Sequence, residues 1–396
     1  MKKKLLFVIE SLDVAGAEKS LVTLLSLLDY NKYSVDLMLF SHGDPLEEFV
    51  PKEVNLLPAL EYIKFSNCSF KNSLRHGFLS GNFKMLTSRI KYSSRIRLKK
   101  YSNAEKARIY WKTVSDVIEN NTSKYDVAIS YSQGVPTFYV AEKVQAKTKI
   151  AWVNVSYHLN RKEKEFQEVY YRNYSKVIAV SKSTKEIFAE TFPENRNKLE
   201  VIYDINHPDL IFNMANIGDA YKDDFDGYRI LTIGRLAYQK GYDIALDACE
   251  RLRNQGINFK WYVLGKGPLR KEIEEEIEKR ELSDHFILLG VKPNPYPYIK
   301  GADFYVQTSK FEGFGLAIAE ARMLNVPIVT TRFDAVYNQM IDNKNGLVVN
   351  MDGNSVFNGI IRYIENPLLK DEIINFLKTE KKGNFEEVNK FYKLIK

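Results

Sequence analysis

Short runs of β-branched and aliphatic residues alternate with stretches of helical period along most of the chain. This alternation limits the fold more than any other feature. Lys4–Glu10, Ser34–Phe40, Tyr125–Ser130, Lys149–Val153 and Lys176–Ala179 read as strands, with helical stretches such as Ala17–Leu28, Phe138–Lys143 and Lys182–Glu190 between them. The theme then repeats. Tyr228–Ile233, Lys260–Leu264, Phe286–Leu289, Phe304–Gln307 and Pro327–Thr330 read as strands, and Tyr242–Gln255, Leu269–Arg280 and Leu316–Leu324 as helices. Parallel neighbours need a long crossover, usually a helix, so the pattern predicts α/β layers around mainly parallel sheets. Two series predict two doubly wound domains, with a break in the polar, acidic stretch from Tyr203 to Gly227. The tail Asn384–Lys396 reads as an amphipathic helix with Phe385, Val388, Phe391, Tyr392 and Ile395 on one side.

A chain of 396 residues with 45% hydrophobic and 27% charged residues is long enough for two domains with real cores. Its apolar runs stop far short of the roughly eighteen residues that a membrane-crossing helix needs. The start, three lysines followed by Leu5-Leu6-Phe7-Val8-Ile9, resembles a signal peptide but ends at Glu10 with no small-residue cleavage site, so a buried first strand is expected. Two cysteines, Cys68 and Cys249, without a CxxC or a histidine cluster, exclude a disulfide framework or a structural zinc site and fit a reducing cytoplasm.

Charge is concentrated. Residues 1–200 carry 32 Lys/Arg against 22 Asp/Glu, a net of +10, while residues 201–396 carry 26 against 28, a net of −2. Between Tyr62 and Lys112 stand 13 basic residues and one acid, Glu105. Among the cations, which include Lys64, Lys71, Arg75, Lys84, Arg89, Arg95, Arg97, Lys99 and Lys100, lie Phe65, Phe70, Phe78, Phe83, Met85, Leu86, Ile90, Tyr92, Ile96 and Leu98. A solvated basic face, a nucleic-acid surface and a dock for an anionic membrane all fit this composition. No RNA- or DNA-binding signature accompanies the patch. Each Lys or Arg close to an anionic bilayer is worth about 1 kcal/mol.

Chemistry-bearing motifs fall mostly in the second half. Glu312-Gly-Phe-Gly-Leu-Ala-Ile-Ala-Glu320 is an acid, a tight glycine turn, a helix start and a second acid eight residues on. A helix beginning near Gly315 offers free N–H groups and the positive end of its dipole to a phosphate. By itself this spacing also describes a helix with two solvated glutamates. Gly234-Arg235-x4-Lys240-Gly241 follows a strand, and ligands of parallel sheets bind beyond the carboxyl ends of strands. A guanidinium fork and an ammonium five residues apart suit a diphosphate. Gly265-Lys-Gly267 begins a dinucleotide fingerprint, but Arg270 replaces the third glycine, which argues against NAD. Gly16, between the first strand and first helix, would permit close approach of a ligand. Asp224-Phe-Asp226 imitates a metal motif but sits in a polar linker with no strand before it, so no metal site is assigned.

Taken in order, Gly-Arg-x4-Lys-Gly, Leu-Gly-Lys-Gly-Pro-Leu, Asn294-Pro-Tyr296 and Ser309-x-Phe-Glu-Gly-Phe-Gly-x4-Glu resemble the retaining glycosyltransferases of family 4, of the bacterial cell-surface polysaccharide type. The match is closest over Tyr228–Asn345, with weaker echoes at Ile150–Asn154, Val177–Ser181 and Val201–Asp204. The resemblance implies the GT-B fold: two Rossmann-like, doubly wound domains facing across a cleft. Residues 1–204 would bind the acceptor and carry a basic insertion at about 62–112. Residues 205–378 would bind the nucleotide sugar, and residues 379–396 would form a helix crossing back to the first domain.

The resemblance also implies roles. Arg235 and Lys240 would bind the donor diphosphate and stabilise the leaving nucleoside diphosphate. Glu312 would contact the donor sugar near the reacting carbon, and Glu320 the ribose hydroxyls. Gly234, Gly265 and the backbone of Gly313, Phe314, Gly315 and Leu316 would line the donor site. Gly16 would approach the diphosphate from the other domain. Three positions depart from the family pattern: Ala15 replaces a first-loop glycine, Asn154 stands where a sugar-contacting His is common with His158 four residues on, and Asp204 replaces a common Asn.

The expected activity is transfer of one sugar, with retention, from a nucleotide diphosphate sugar to a saccharide acceptor, for which a lipid-linked form is expected. Family frequency favours UDP as the carrier. No cofactor, metal or nucleic acid is expected. The enzyme would be cytoplasmic and peripheral on the inner membrane face, with residues 62–112 on the anionic surface. A non-catalytic partner subunit that binds acceptor, and a nucleotide-sugar epimerase, are the alternatives.

Overall fold

The computed structural model describes residues 2–13, 16–69, 82–154, 159–205, 207–312 and 315–396. The chain folds as two compact units: Met1–Ile205 together with Glu386–Lys396, and Asn206–Phe385.

The first unit is built on a seven-stranded sheet in the order β3-β2-β1-β4-β5-β6-β7. Its strands are β1 (Lys3–Ile9), β2 (Tyr33–Leu39), β3 (Asn55–Leu56), β4 (Lys124–Ser130), β5 (Gln145–Val153), β6 (Lys176–Ala179) and β7 (Leu199–Val201). Every pairing is parallel. Strand β1 is central and entirely buried from Leu5 to Ile9. Alternation sends Leu6 and Val8 into one core with Trp111, Phe138 and Tyr139, and Leu5, Phe7 and Ile9 into the other with Leu21, Leu24 and Trp152. A strand buried on both faces must be apolar throughout, which accounts for the run Leu5–Ile9.

The basic stretch supplies three of the helices, α2 (Glu61–Asn67), α3 (Phe83–Ile96) and α4 (Asn103–Val114), after α1 (Gly16–Ser26). Residues 70–81, with Phe70, Lys71, Arg75 and Phe78, lie outside the described residues. Tyr62, Phe65, Leu86 and Trp111 are buried in the core. This corrects the expectation that the apolar residues among the cations as a group face a lipid surface. Phe65 and Leu86 satisfy the helical period toward the sheet, and among the described residues of the stretch the exposed large apolar side chains are Phe83, Ile90 and Leu98. The lone acid serves the backbone beside it. Ser102 Oγ accepts from Glu105 N at 3.2 Å, and Glu105 Oε2 accepts from Ser102 N at 2.9 Å, a capping box that starts α4.

Helices α5 (Val135–Lys143), α6 (Arg161–Tyr171) and α7 (Lys182–Thr191) complete this part of the unit. The second unit opens with α8 (Pro208–Met214) and holds a six-stranded parallel sheet in the order β10-β9-β8-β11-β12-β13. Its strands are β8 (Tyr228–Ile233), β9 (Phe259–Leu264), β10 (Phe286–Gly290), β11 (Phe304–Gln307), β12 (Ile328–Thr331) and β13 (Leu347–Val349). Helices α9 (Tyr242–Asn254), α10 (Arg270–Lys279), α11 (Tyr296–Lys300), α12 (Leu316–Met323), α13 (Gly353–Glu365) and α14 (Pro367–Thr379) surround it. Counted within each unit, both sheets contain the strand order 3-2-1-4-5-6, the doubly wound Rossmann arrangement. The connection reverses direction between β1 and β4 in the first unit and between β8 and β11 in the second.

The tail differs from its expected form. Residues 379–385 remain with the second unit, because Arg322 holds Glu380 by two bonds of 3.1 and 2.7 Å and Lys382 Nζ donates to Met323 O at 3.1 Å. Gly383, at φ +70°, breaks the helical path, and a 3-10 turn (Phe385–Glu387) precedes α15 (Val388–Leu394). Phe385 is exposed rather than part of an apolar helix face, while Phe391 and Ile395 are buried. Phe391 stacks on Phe7 at 5.8 Å, and Tyr392 OH donates to Leu27 O at 2.9 Å, which fastens α15 to the first unit.

Candidate active site at the switch point of the second sheet

Two loops meet where the second sheet reverses its winding, one after β8 and one after β11. Their backbones are joined directly. Lys310 N donates to Gln239 O at 2.8 Å, and Thr308 Oγ1 donates to Lys240 O at 2.9 Å. Gly241 makes the contact possible. It sits at φ +61°, and a Cβ there would lie 2.1 Å from Thr308 O. The loop after β9 closes on the same place, since a Cβ on Gly265 would lie 2.0 Å from Gly234 O. Gly265 therefore acts by letting backbones touch, while the missing Cβ of Gly234 leaves room for the Lys240 stem, and Tyr242 OH anchors the junction by donating to Gly234 O at 2.9 Å.

The Lys240 stem runs along Gly234, and its ammonium forms an ion pair with Glu312. The pair is sheltered, with Lys240 17% and Glu312 8% exposed at the side chain. Glu312 Oε1 also accepts from Ser309 Oγ at 2.6 Å and from Gln307 Nε2 at 3.2 Å, and Oε2 accepts from Gln239 Nε2 at 3.4 Å. Gln307 in turn donates to Ser309 Oγ at 2.6 Å. A carboxylate with this many donors is held in one orientation. Arg235 is exposed and makes no side-chain hydrogen bond or ion pair among the described residues. One cation is thus held by a carboxylate, while another nearby is free for an incoming anion.

Helix α12 begins beside these loops. Gly315, at φ +81°, is its N-cap, and no side chain caps it. Ile318 N and Ala319 N bond back to Gly315 O, leaving Leu316 at the uncapped start. Gly313 and Phe314 lie outside the described residues. Glu320, on the second turn, is 2% exposed and accepts from Tyr296 OH at 3.0 Å. Burial first, and then the Glu320 charge, push the Tyr296 phenol well above its usual range, so it stays a donor.

Gly16 and Asn154 belong to the first unit. Gly16 opens α1. Asn154 follows β5, where its N–H donates to Gln133 Oε1 at 3.0 Å and its Nδ2 to Tyr131 O at 2.6 Å. Its Oδ1 is buried without a partner among the described residues. His158 lies outside the described residues. Burial, then the neighbouring Asp13, Glu10 and Asp204, push the Glu18 carboxyl up to about 7, and burial pushes Asp204 to about 7 as well. Of the linker acids, Asp223 binds Arg229 and Lys260 at 3.0 and 3.1 Å, and Asp226 accepts from Asn258 Nδ2 at 3.3 Å.

The structure thus brings Gly234, Lys240, Gly265 and Glu312 together in the second unit, with Arg235 next to Gly234 and Gly315, Leu316 and Glu320 on the adjoining helix. Gln239, Gln307 and Tyr296 were not assigned site roles from the sequence. Gln307 carried a signal: with Thr308 and Ser309 it forms a polar trio closing the apolar run Phe304–Val306, where a buried strand end needs polar residues only for a reason.

Residues 219–379 match the family model described as glycosyl transferases group 1. An uncharacterised glycosyltransferase of Methanocaldococcus jannaschii is 28% identical over 200 residues, 48% of this chain and 49% of that protein. The N-acetylgalactosamine-N,N'-diacetylbacillosaminyl-diphospho-undecaprenol 4-alpha-N-acetylgalactosaminyltransferase of Campylobacter jejuni is 29% identical over 214 residues, 54% of this chain and 56% of that protein. The chain spans about half the length of these curated relatives. Among solved structures, a TarM point mutant from S. aureus, in complex with fondaparinux, alpha-GlcNAc-glycerol and UDP, aligns over 99% of both chains with a TM-score of 0.66 at 15% identity. The shared fold is GT-B.

Proposed function

We propose, from the match of residues 219–379 to the glycosyl transferases group 1 model, that the chain is a retaining glycosyltransferase of cell-surface polysaccharide synthesis. It moves one sugar from a UDP-sugar to a saccharide acceptor carried on a lipid, without a metal, at the inner face of the membrane. The observation that carries the reading is the sheltered Lys240–Glu312 pair beside the free Arg235 at the sheet's switch point. UDP in the TarM complex and the diphospho-undecaprenol in the name of the Campylobacter relative support the choice of donor and acceptor class.

In this reading Arg235 grips the diphosphate by its fork, and Lys240 turns part of its charge from Glu312 to the phosphate. Both oppose the charge that grows on the leaving group, which is where preorganised cations lower the barrier most. The uncapped start of α12 takes a phosphate oxygen. Glu320, aimed by Tyr296, accepts from the ribose hydroxyls. Glu312 keeps its bonds from Ser309, Gln307 and Gln239 and faces the sugar near C1. The bond from C1 to the β-phosphate oxygen breaks, the bond from C1 to the acceptor oxygen forms on the same face, and the acceptor proton passes to that phosphate oxygen. No side chain acts as nucleophile or base.

The test is release of nucleoside diphosphate from a panel of nucleotide sugars, with and without EDTA. Slow release that survives EDTA and falls at least tenfold in Lys240→Met is expected. No release from any donor would identify a partner subunit, and conversion to a new nucleotide sugar an epimerase. Loss in EDTA restored by Mg²⁺ would return attention to Asp224 and Asp226.

A further inference from the structure

In the first unit a cavity of about 430 Å³ opens between α7, the end of β7 and α15. Lys182, Lys185, Arg196 and Lys390 contribute four cations against one carboxylate, Glu186, over a floor of Ala189, Val201 and Tyr203. Lys390 is held by Glu387 at 2.6 Å and lies 5.6 Å from the centre of the Tyr203 ring. Lys182, Lys185 and Arg196 make no side-chain hydrogen bond or ion pair among the described residues.

Nearby cations are treated differently. Lys176 pairs with Glu200 at 2.5 Å, and Arg172 pairs with Glu194 at 3.3 Å. Three unpaired cations around one concavity repel one another, and a concave wall focuses their field. Lys182 and Lys185 also stand on the first turn and a half of α7, a helix of ten residues whose start adds positive potential. The cavity lies along the edge strand β7, with Arg196 before it and Val201 and Tyr203 at and beyond its carboxyl end. Its volume is that of a small-ligand site.

We infer that this cavity binds a phosphate ester, with the anionic head among Lys182, Lys185 and Arg196 and the carbon-bearing part on Ala189, Val201 and Tyr203. Its lining residues are other than those assigned to the donor, and the inference does not depend on the proposed transfer reaction. Two sources of the phosphate are open to it, a soluble ester and a lipid headgroup.

The experiment is calorimetric titration of the full chain with inorganic pyrophosphate. Wild type, the triple variant Lys182→Ser, Lys185→Ser, Arg196→Ser, the donor-site variant Arg235→Ser and a charge control are compared. The control replaces Arg270, Lys271 and Lys279, surface cations of α10, with Ser, so that it removes the same charge elsewhere. None of the replaced pocket cations is buried, and circular dichroism checks that the triple variant is folded. The inference expects one class of pyrophosphate sites to persist in Arg235→Ser and in the charge control, and to weaken at least tenfold in the triple variant. Equal binding by the triple variant and wild type, or an equal loss in the charge control, overturns it. Loss only in Arg235→Ser likewise overturns it without touching the donor reading. Sedimentation with phosphatidic acid vesicles then separates the sources. A tenfold drop in the triple variant assigns the phosphate to a lipid headgroup, and an unchanged value assigns it to a soluble ester.

Discussion

Under the proposed transfer, the ion pair between Lys240 and Glu312 would separate stability from catalysis in a way that a double-mutant cycle can measure. Removing one partner of a fully buried pair costs about 3–5 kcal/mol, while an exposed pair is worth about 0–1 kcal/mol. This pair is 17% and 8% exposed, and Ser309, Gln307 and Gln239 still donate to Glu312 when the lysine is gone. Lys240→Met should therefore cost an intermediate amount, about 2 kcal/mol, which in a unit of this size lowers the melting temperature by about 4–8 °C. Glu312→Gln should cost a similar amount by stranding the ammonium. The double variant removes both charges and should recover much of the loss, giving a coupling energy of at least about 1 kcal/mol. Catalysis should not recover. A cation facing the leaving diphosphate is worth about 3 kcal/mol, so nucleoside diphosphate release should fall about a hundredfold in Lys240→Met and stay low in the double variant. Chemical denaturation and a release assay on the four proteins complete the cycle. A coupling energy near zero refutes the pair, and a double variant that regains turnover refutes the catalytic role.

Three other outcomes follow from the structure. Glu18 and Asp204 both have carboxyl groups pushed up to about 7, chiefly by burial, so their contribution to stability is whole below about pH 4 and is lost as pH rises through about 7. Urea midpoints between pH 5 and 8 should fall with rising pH, and Asp204→Asn should flatten that slope; an unchanged slope speaks against the burial of this carboxyl. Gly241→Ala places a Cβ 2.1 Å from Thr308 O at φ +61°, and should cost about 2–4 kcal/mol and weaken donor binding in a thermal-shift assay. Replacing Arg95, Arg97, Lys99 and Lys100 with Ser should release the protein from anionic vesicles, which Phe83, Ile90 and Leu98 would otherwise enter; sedimentation equal to wild type removes the membrane role from this stretch.

Local rules carried the α/β architecture. A strand buried on both faces has to be apolar along its length, so β1, β4 and β11 announce themselves, and helices between them follow from the crossover that parallel pairing requires. Gly241 and Gly315 were legible as glycines because both hold a positive φ that other residues rarely adopt. Elements without a local signature were not. Strands β3 and β7 have two and three residues, too few to display a period, and exist because an edge of the sheet is there to pair with. Whether an apolar residue in a basic stretch meets core or solvent depends on which helix face the fold turns inward, and this put Phe65 and Leu86 inside and left Phe83 and Ile90 outside. The break at Gly383 was visible as a residue, but the hold of Arg322 on Glu380 that keeps residues 379–385 with the second unit joins positions 58 apart. The same is true of the site. Sequence displays Lys240 and Glu312 as separate cation and acid, 72 residues apart. Only the meeting of two loops at the reversal of the sheet makes them one pair, because charge interacts through distance in space and not along the chain.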